Sequence, residues 1–148
     1  MKIKAKLVLP NDLAKSVGLN ESGKVQKFID SFVLNHSKPY IPGKHIYDSG
    51  VIATRIGSGK VIWDSLDANY LYEGKLMVDP ITLKGAFYSP DYGFWSRPNT
   101  PKIIDPKARN LNFHGGGVKG SKWFDRMIEN EMDDLLDGIV KIIGEDNE

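Results

Sequence analysis

Val51-Ile52-Ala53-Thr54-Arg55-Ile56, the turn Gly57-Ser58-Gly59, and Lys60-Val61-Ile62-Trp63-Asp64 form the stretch on which the fold reading turns. Two runs rich in β-branched residues joined by a short glycine turn predict a β-hairpin over 51–64. Ahead of it, Pro39-Tyr40-Ile41-Pro42-Gly43-Lys44-His45 predicts a structured, exposed loop. Each proline pushes its predecessor out of the helical region, and Pro42-Gly43 favours a turn. Further upstream, Val25, Phe28, Ile29, Phe32 and Val33 recur at helical spacing, with Asn20 or Ser22 as N-cap candidates and Pro39 forbidding continuation. This predicts an amphipathic helix over 22–36. At the start, Lys2, Lys4 and Lys6 alternate with Ile3, Ala5 and Leu7, the period of a short half-buried strand. Pro10 and Asn11 end it, and Asp12 to Val17 has room for one or two helical turns.

Downstream, Asp67 to Gly74 reads as a short helix capped by Asp67 and stopped by Gly74. From Lys75 to Ser121, prolines alternate with glycines and the apolar weight comes from aromatics: Phe87, Tyr88, Tyr92, Phe94, Trp95 and Phe113. One or two short strands fit around 84–88 and 92–96, in an otherwise long aromatic, Pro/Gly-rich loop. Such a segment is a binding loop, a segment ordered by a neighbouring chain, or a set of rings covering one face of the sheet. Ser121 is the expected N-cap of the strongest helix, 122–143, along which Phe124, Met127, Ile128, Leu135, Ile139 and Ile142 form an apolar stripe. Asp125 in its first turn and Lys141 in its last suit the macrodipole, and Gly144 is the expected C′ residue.

These elements predict an α+β fold: a small, mainly antiparallel sheet built around the 51–64 hairpin and covered by two main helices. The expected core is Phe28, Ile29, Phe32, Ile52, Ile62, Phe124, Ile128, Leu135 and Ile139. A length of 148 residues suits one domain, 1–148, in which 1–19 is an N-terminal strand and short helix and 145–148 a polar tail.

Composition narrows the function. With no cysteine, disulfide scaffolds, thiolate zinc sites and iron–sulfur clusters are excluded. No apolar run approaches the roughly 18 residues that span a bilayer, and the charged, alternating start is unlike a signal peptide, so the expectation is a soluble chain made in the cytoplasm. A net charge of +1 argues against a dedicated nucleic-acid binder. That charge is uneven: residues 123–148 hold nine acids against Arg126 and Lys141, a net of −7, leaving +8 on residues 1–122. The acids form either a solvated helix face or a face that meets a basic surface on a neighbouring copy.

No catalytic constellation emerges. His36, His45 and His114 have no His or acid at metal-ligand or helical spacing and read as surface or loop residues. Gly57-Ser58-Gly59-Lys60 lacks the earlier glycine of a phosphate loop, and Gly115 to Lys122 ends in Ser-Lys rather than Lys-Ser or Lys-Thr. The expectation is a protein that is not an enzyme and has no catalytic residue, cofactor or metal.

The ordered series Pro39-Tyr40-Ile41-Pro42, Ile52-Ala53-Thr54-Arg55-Ile56-Gly57-Ser58-Gly59, Ala68-Asn69-Tyr70-Leu71-Tyr72-Glu73-Gly74-Lys75, Gly85-Ala86-Phe87, Phe94-Trp95-Ser96-Arg97-Pro98 and Lys122-Trp123-Phe124-Asp125-Arg126-Met127 resembles the minor capsid proteins of long-tailed bacteriophages of Gram-positive hosts. These are small neck or head–tail connector proteins. The resemblance runs over about 20–144; it departs at Lys44 to Gly50, where the family often has a Thr-Gly-x-Leu type turn. It implies a structural virion protein at the head–tail junction: a homo-oligomeric ring touching adjacent connector and tail proteins, with passing contact with phage DNA and no membrane or small-molecule substrate. The expected interface residues are Tyr88, Tyr92, Phe94, Trp95 and Arg97 with Asp133, Asp134 and Asp137. The rival reading is a small non-viral binding module that uses the aromatic loop 87–113 on a peptide or on single-stranded nucleic acid.

Overall fold

The spacing of Val25, Ile29, Phe32 and Val33 builds helix α1, Lys24–Ser37, with all four side chains buried. The computed structural model describes residues 1–4 and 18–146, so the strand expected beyond Lys4, the turns over 12–17 and the last two residues lie outside it. Neither Asn20 nor Ser22 caps α1. Gly23 is the N-cap, and Ser22, at a left-handed φ of 63°, donates its N–H to the Gly57 carbonyl at 2.9 Å. Pro39 ends α1 in a 3₁₀ turn, Lys38–Tyr40. The loop that follows is not exposed as expected, since Tyr40 and Ile41 are buried.

The 51–64 hairpin does not form. Lys44–Ala53 is helix α2, and only Lys60–Ile62 is a strand, β2. Strand β2 pairs antiparallel with β1, Lys2–Lys4, placing Ile3 opposite Val61. Packing overrides the β-branched composition of Val51-Ile52. Ile46 is fully buried, and one turn later Gly50 lies beneath Trp63, whereas Ile52 is 85% exposed and so leaves the expected core. A Cβ on Gly50 would sit 2.6 Å from Trp63 Nε1 and 2.9 Å from Leu34 Cδ1. Gly50→Ala therefore sets a helix-propensity gain of about 1 kcal/mol against overpacking of about 1–3 kcal/mol. The expected result is a net loss of stability, read as a lower midpoint in thermal unfolding; a raised midpoint would contradict the packing.

Helix α3, Ala68–Glu73, ends as expected on Gly74 at a left-handed φ of 68°. Helix α4, Trp123–Asp146, differs from expectation at both ends. It starts after Lys122, at φ 50°, so Ser121 is not its cap; the Ser121 carbonyl instead accepts from Arg126 Nε at 2.8 Å. It also runs through Gly144, which is not a C′ residue, so Lys141 is not in the last turn.

Helices α1 and α4 pack on each other, and α1 also reaches β2. The approach is close enough that a Cβ on Gly138 would lie 2.3 Å from Phe28 Cζ. Further along, His36 stacks on Phe32 at 3.7 Å and bonds Glu131 at 2.8 Å. Of the expected core, Ile29, Phe32 and Leu135 are buried and Phe28, Phe124, Ile128 and Ile139 pack around them, while Ile62 is only half-buried. The centre is aromatic: Trp123 meets Trp63 edge-on at 6.0 Å and Tyr72 at 4.7 Å. Tyr72 donates its hydroxyl to Asp125 at 2.8 Å, and burial followed by that carboxylate pushes its pKa above the usual value.

Two further antiparallel ladders run through residues 75–121. Strand β3, Met77–Val78, pairs with β6, Ile103–Ile104; between them β4, Phe87–Ser89, pairs with β5, Gly93–Trp95. Small antiparallel ladders and four helices among the described residues make an α+β fold. The strands form three separate pairs rather than one sheet.

Candidate functional site

The β4–β5 hairpin gathers Tyr88, Tyr92, Phe94 and Trp95 into one exposed feature. Pro90-Asp91-Tyr92 forms its turn, and Gly93 closes it at φ 73°, a conformation that favours glycine. Cross-strand partners carry rings on both faces: Phe87 stacks on Trp95 at 4.8 Å, and on the opposite face Tyr88 meets Phe94 at 5.3 Å. The rings therefore do not cover one face of a sheet. Tyr92 is 85% exposed, Phe94 77% and Tyr88 67%, and Trp95 is also exposed.

A two-stranded hairpin is marginal alone, and buried carboxylates brace this one. Asp79, just after β3, accepts the Ile81 and Thr82 N–H groups on Oδ1 at 2.8 and 3.0 Å. Its other oxygen receives Arg97 Nε at 3.0 Å, and the Arg97 guanidinium lies 5.6 Å over the Phe87 ring. Arg97 thus ties the hairpin to the 79–84 turn. Asp105, just after β6, holds Arg109 Nε on Oδ2 and the Lys107 N–H on Oδ1 at 3.0 Å, while Arg109 Nη2 donates to the Leu83 carbonyl at 3.2 Å. Sequence reading singled out Arg97 but neither aspartate; the clue was an acid ahead of a turn in Asp79-Pro80 and Asp105-Pro106.

Both carboxyls titrate below their usual range, Asp79 chiefly through the Thr82 N–H and Asp105 chiefly through Arg109. A depressed folded pKa contributes stability that is complete above the unfolded value of 3.8 and is lost as pH falls through the folded one. Hydrogen-exchange protection of the Ile81, Thr82 and Lys107 amides is therefore expected to hold at pH 6 and to fall in acid, once the pH has dropped below 3.8 and through the depressed folded values. Equal protection factors under both conditions would contradict this bracing.

Asp133, Asp134 and Asp137 lie on a different element, exposed on α4. Beside them, Met132, Leu136 and Val140 form an exposed row at i, i+4, i+8, separate from the stripe packed on the core. The row escaped the sequence reading because the buried stripe alone accounts for an amphipathic helix. The histidines are more engaged than expected, His36 with Glu131 and His45 with Asp67 at 2.7 Å, and only His114 lies in an exposed loop.

A depression of about 500 Å³ lies before α4, with Lys122 and Arg126 on its wall. Both cations have partners: Lys122 pairs with Glu73 at 3.0 Å, and Arg126 donates to the Val118 and Ser121 carbonyls. Among the described residues, no helix is long and apolar enough to cross a membrane, and no three His, Asp or Glu side chains cluster as a metal site. Compared with known proteins, the chain matches no family model, no curated protein and no solved structure.

Proposed function

We propose that the chain is a structural virion protein of a long-tailed bacteriophage, a neck or tail-completion subunit that forms a ring at the head–tail junction. Its partners there are copies of itself and the adjacent connector and tail proteins, with DNA passing along the same path. The observation that carries this reading is the β4–β5 hairpin, a braced element with aromatic rings on both faces, of which Tyr88, Tyr92 and Phe94 keep most of their surface in water. Exposed apolar rings gathered on one element in this way mark an interaction site. Magnitudes favour templated assembly: about 2 kcal/mol per buried ring gives ~6 kcal/mol for the three mostly exposed ones, against about 4–15 kcal/mol for association. One hairpin contact then holds weakly in dilute solution and tightly where a portal complex already aligns the subunits.

The test is mass by light scattering, first of the protein alone and then with tail-less heads separated by sedimentation. A monomer that joins heads and lets tails attach supports the neck reading. A protein that never joins heads yet binds a peptide or single-stranded oligonucleotide tightly overturns it in favour of a binding module, since exposed Tyr and Trp also stack on bases.

A further inference from the structure

We infer that the hairpin of one copy docks on the exposed Met132, Leu136 and Val140 row of helix α4 in the next copy, a head-to-tail contact between unlike surfaces. This rests on the ring reading above and supplies what it leaves open, the surface that receives the hairpin.

Apolar surface is available on both sides of such a contact. The hairpin exposes its rings, and α4 exposes a strip in which Leu136 is 50% and Val140 69% exposed. A helix strip of i, i+4 side chains offers an elongated surface against which flat rings pack, and such rings lose little side-chain entropy.

Charge then selects which surfaces meet. Residues 75–111 carry six bases and three acids, and two of those acids, Asp79 and Asp105, are occupied by Arg97 and Arg109. Among the described residues no carboxylate pairs with Lys84, Lys102 or Lys107, and with Asp91 in the hairpin turn as the third acid the lobe keeps a net charge of +3. On α4, Glu129, Asp133 and Asp137 run at the same four-residue spacing beside the apolar row, all exposed, with no cation paired to them among the described residues. Between these two surfaces, apolar meets apolar and basic flank meets acidic flank when the hairpin lobe lies on α4. Hairpin on hairpin or α4 on α4 would oppose like charges. Contacts between unlike surfaces propagate, and they close into a ring when the rotation permits.

The chain has no cysteine, so introduced thiols are the only ones present. Tyr92→Cys and Leu136→Cys both alter exposed side chains and leave the core intact. The Tyr92→Cys/Leu136→Cys double variant is treated with a short bis-maleimide, bound to heads and separately at about 1 mM in low salt. The expected result is a ladder of covalent dimers, trimers and higher species, shrinking several-fold in high salt. Each single variant should give no ladder and few dimers. Absence of a ladder in both samples overturns the inference, and so does efficient dimer formation by either single variant, which would indicate like-on-like contact. Binding to heads is scored separately by sedimentation. Heads that bind the protein without a ladder refute this contact while the neck reading stands; a ladder in solution without binding to heads refutes the neck reading while the contact stands.

Discussion

Asp30→Ala is expected to destabilise the fold by about 3 kcal/mol, lowering the thermal midpoint by roughly 10 °C. Asp30 lies on α1 with its side chain fully buried. Its Oδ2 accepts the Gly57 N–H at 2.7 Å and the Gly59 N–H at 3.0 Å, and its Oδ1 accepts Gln26 Nε2 at 2.9 Å. The turn between α2 and β2 is therefore folded around this carboxylate. Gly57 at φ 96° and Gly59 at φ 78° adopt backbone that side chains resist, which is what aims both amides at one oxygen. Alanine leaves the two buried backbone N–H groups unpaired, each costing about 1–3 kcal/mol, and removes the acceptor of Gln26 Nε2. An asparagine side chain would offer an oxygen but also an NH₂ facing other donors, so Asp30→Asn is expected to recover less than half of the loss. Urea unfolding of the three proteins checks this, and a loss below about 1 kcal/mol in the alanine variant would show that the turn holds without the carboxylate.

Trp123→Ala is expected to cost about 4 kcal/mol, the range for emptying a large buried aromatic site. Trp123 is fully buried where α4 begins, between Trp63 and Tyr72, so truncation removes the ring that joins α4 to α3 and to the residue that follows β2. Its indole N–H has no hydrogen-bond partner among the described residues. Trp123→Phe consequently gives up volume but no hydrogen bond, and is expected to cost about 1–2 kcal/mol. Equal losses for the two variants in calorimetry would mean that the N–H, rather than the ring, does the stabilising.

How much of this was legible in the sequence depended on whether a residue's signal was local. Helix α1 was legible because its apolar residues repeat over three turns, and α3 because Asp67 and Gly74 bracket it. Strands β4 and β5 were legible in outline because Pro90-Asp91 and Gly93 punctuate two pairs of aromatics. Helix α2 was not: the β-branched run from Val51 reads as a strand, while Gly50 lets Trp63 approach, a contact made by a residue beyond the next turn. Strand β2 was assigned the wrong partner because its true one, β1, lies at the far N-terminus, and pairing at that distance leaves no trace in local spacing. Asp30 was not singled out, since nothing local shows that a distant turn supplies its donors. At the candidate site, Tyr88, Tyr92, Phe94 and Trp95 could be singled out as aromatics in an irregular segment. Their presentation on both faces of one hairpin follows from its register, and its attachment depends on Asp79 and Asp105.

If the hairpin is the assembly surface, the most direct measurement is the number of copies bound per tail-less head for the native protein and for Tyr88→Ser/Tyr92→Ser/Phe94→Ser. All three side chains are mostly exposed, so the thermal midpoint should stay within about 3 °C of the native value. The expected result is at least a tenfold loss of bound copies from an otherwise intact fold. Binding at the native level by the folded triple variant would contradict an assembly role for the hairpin.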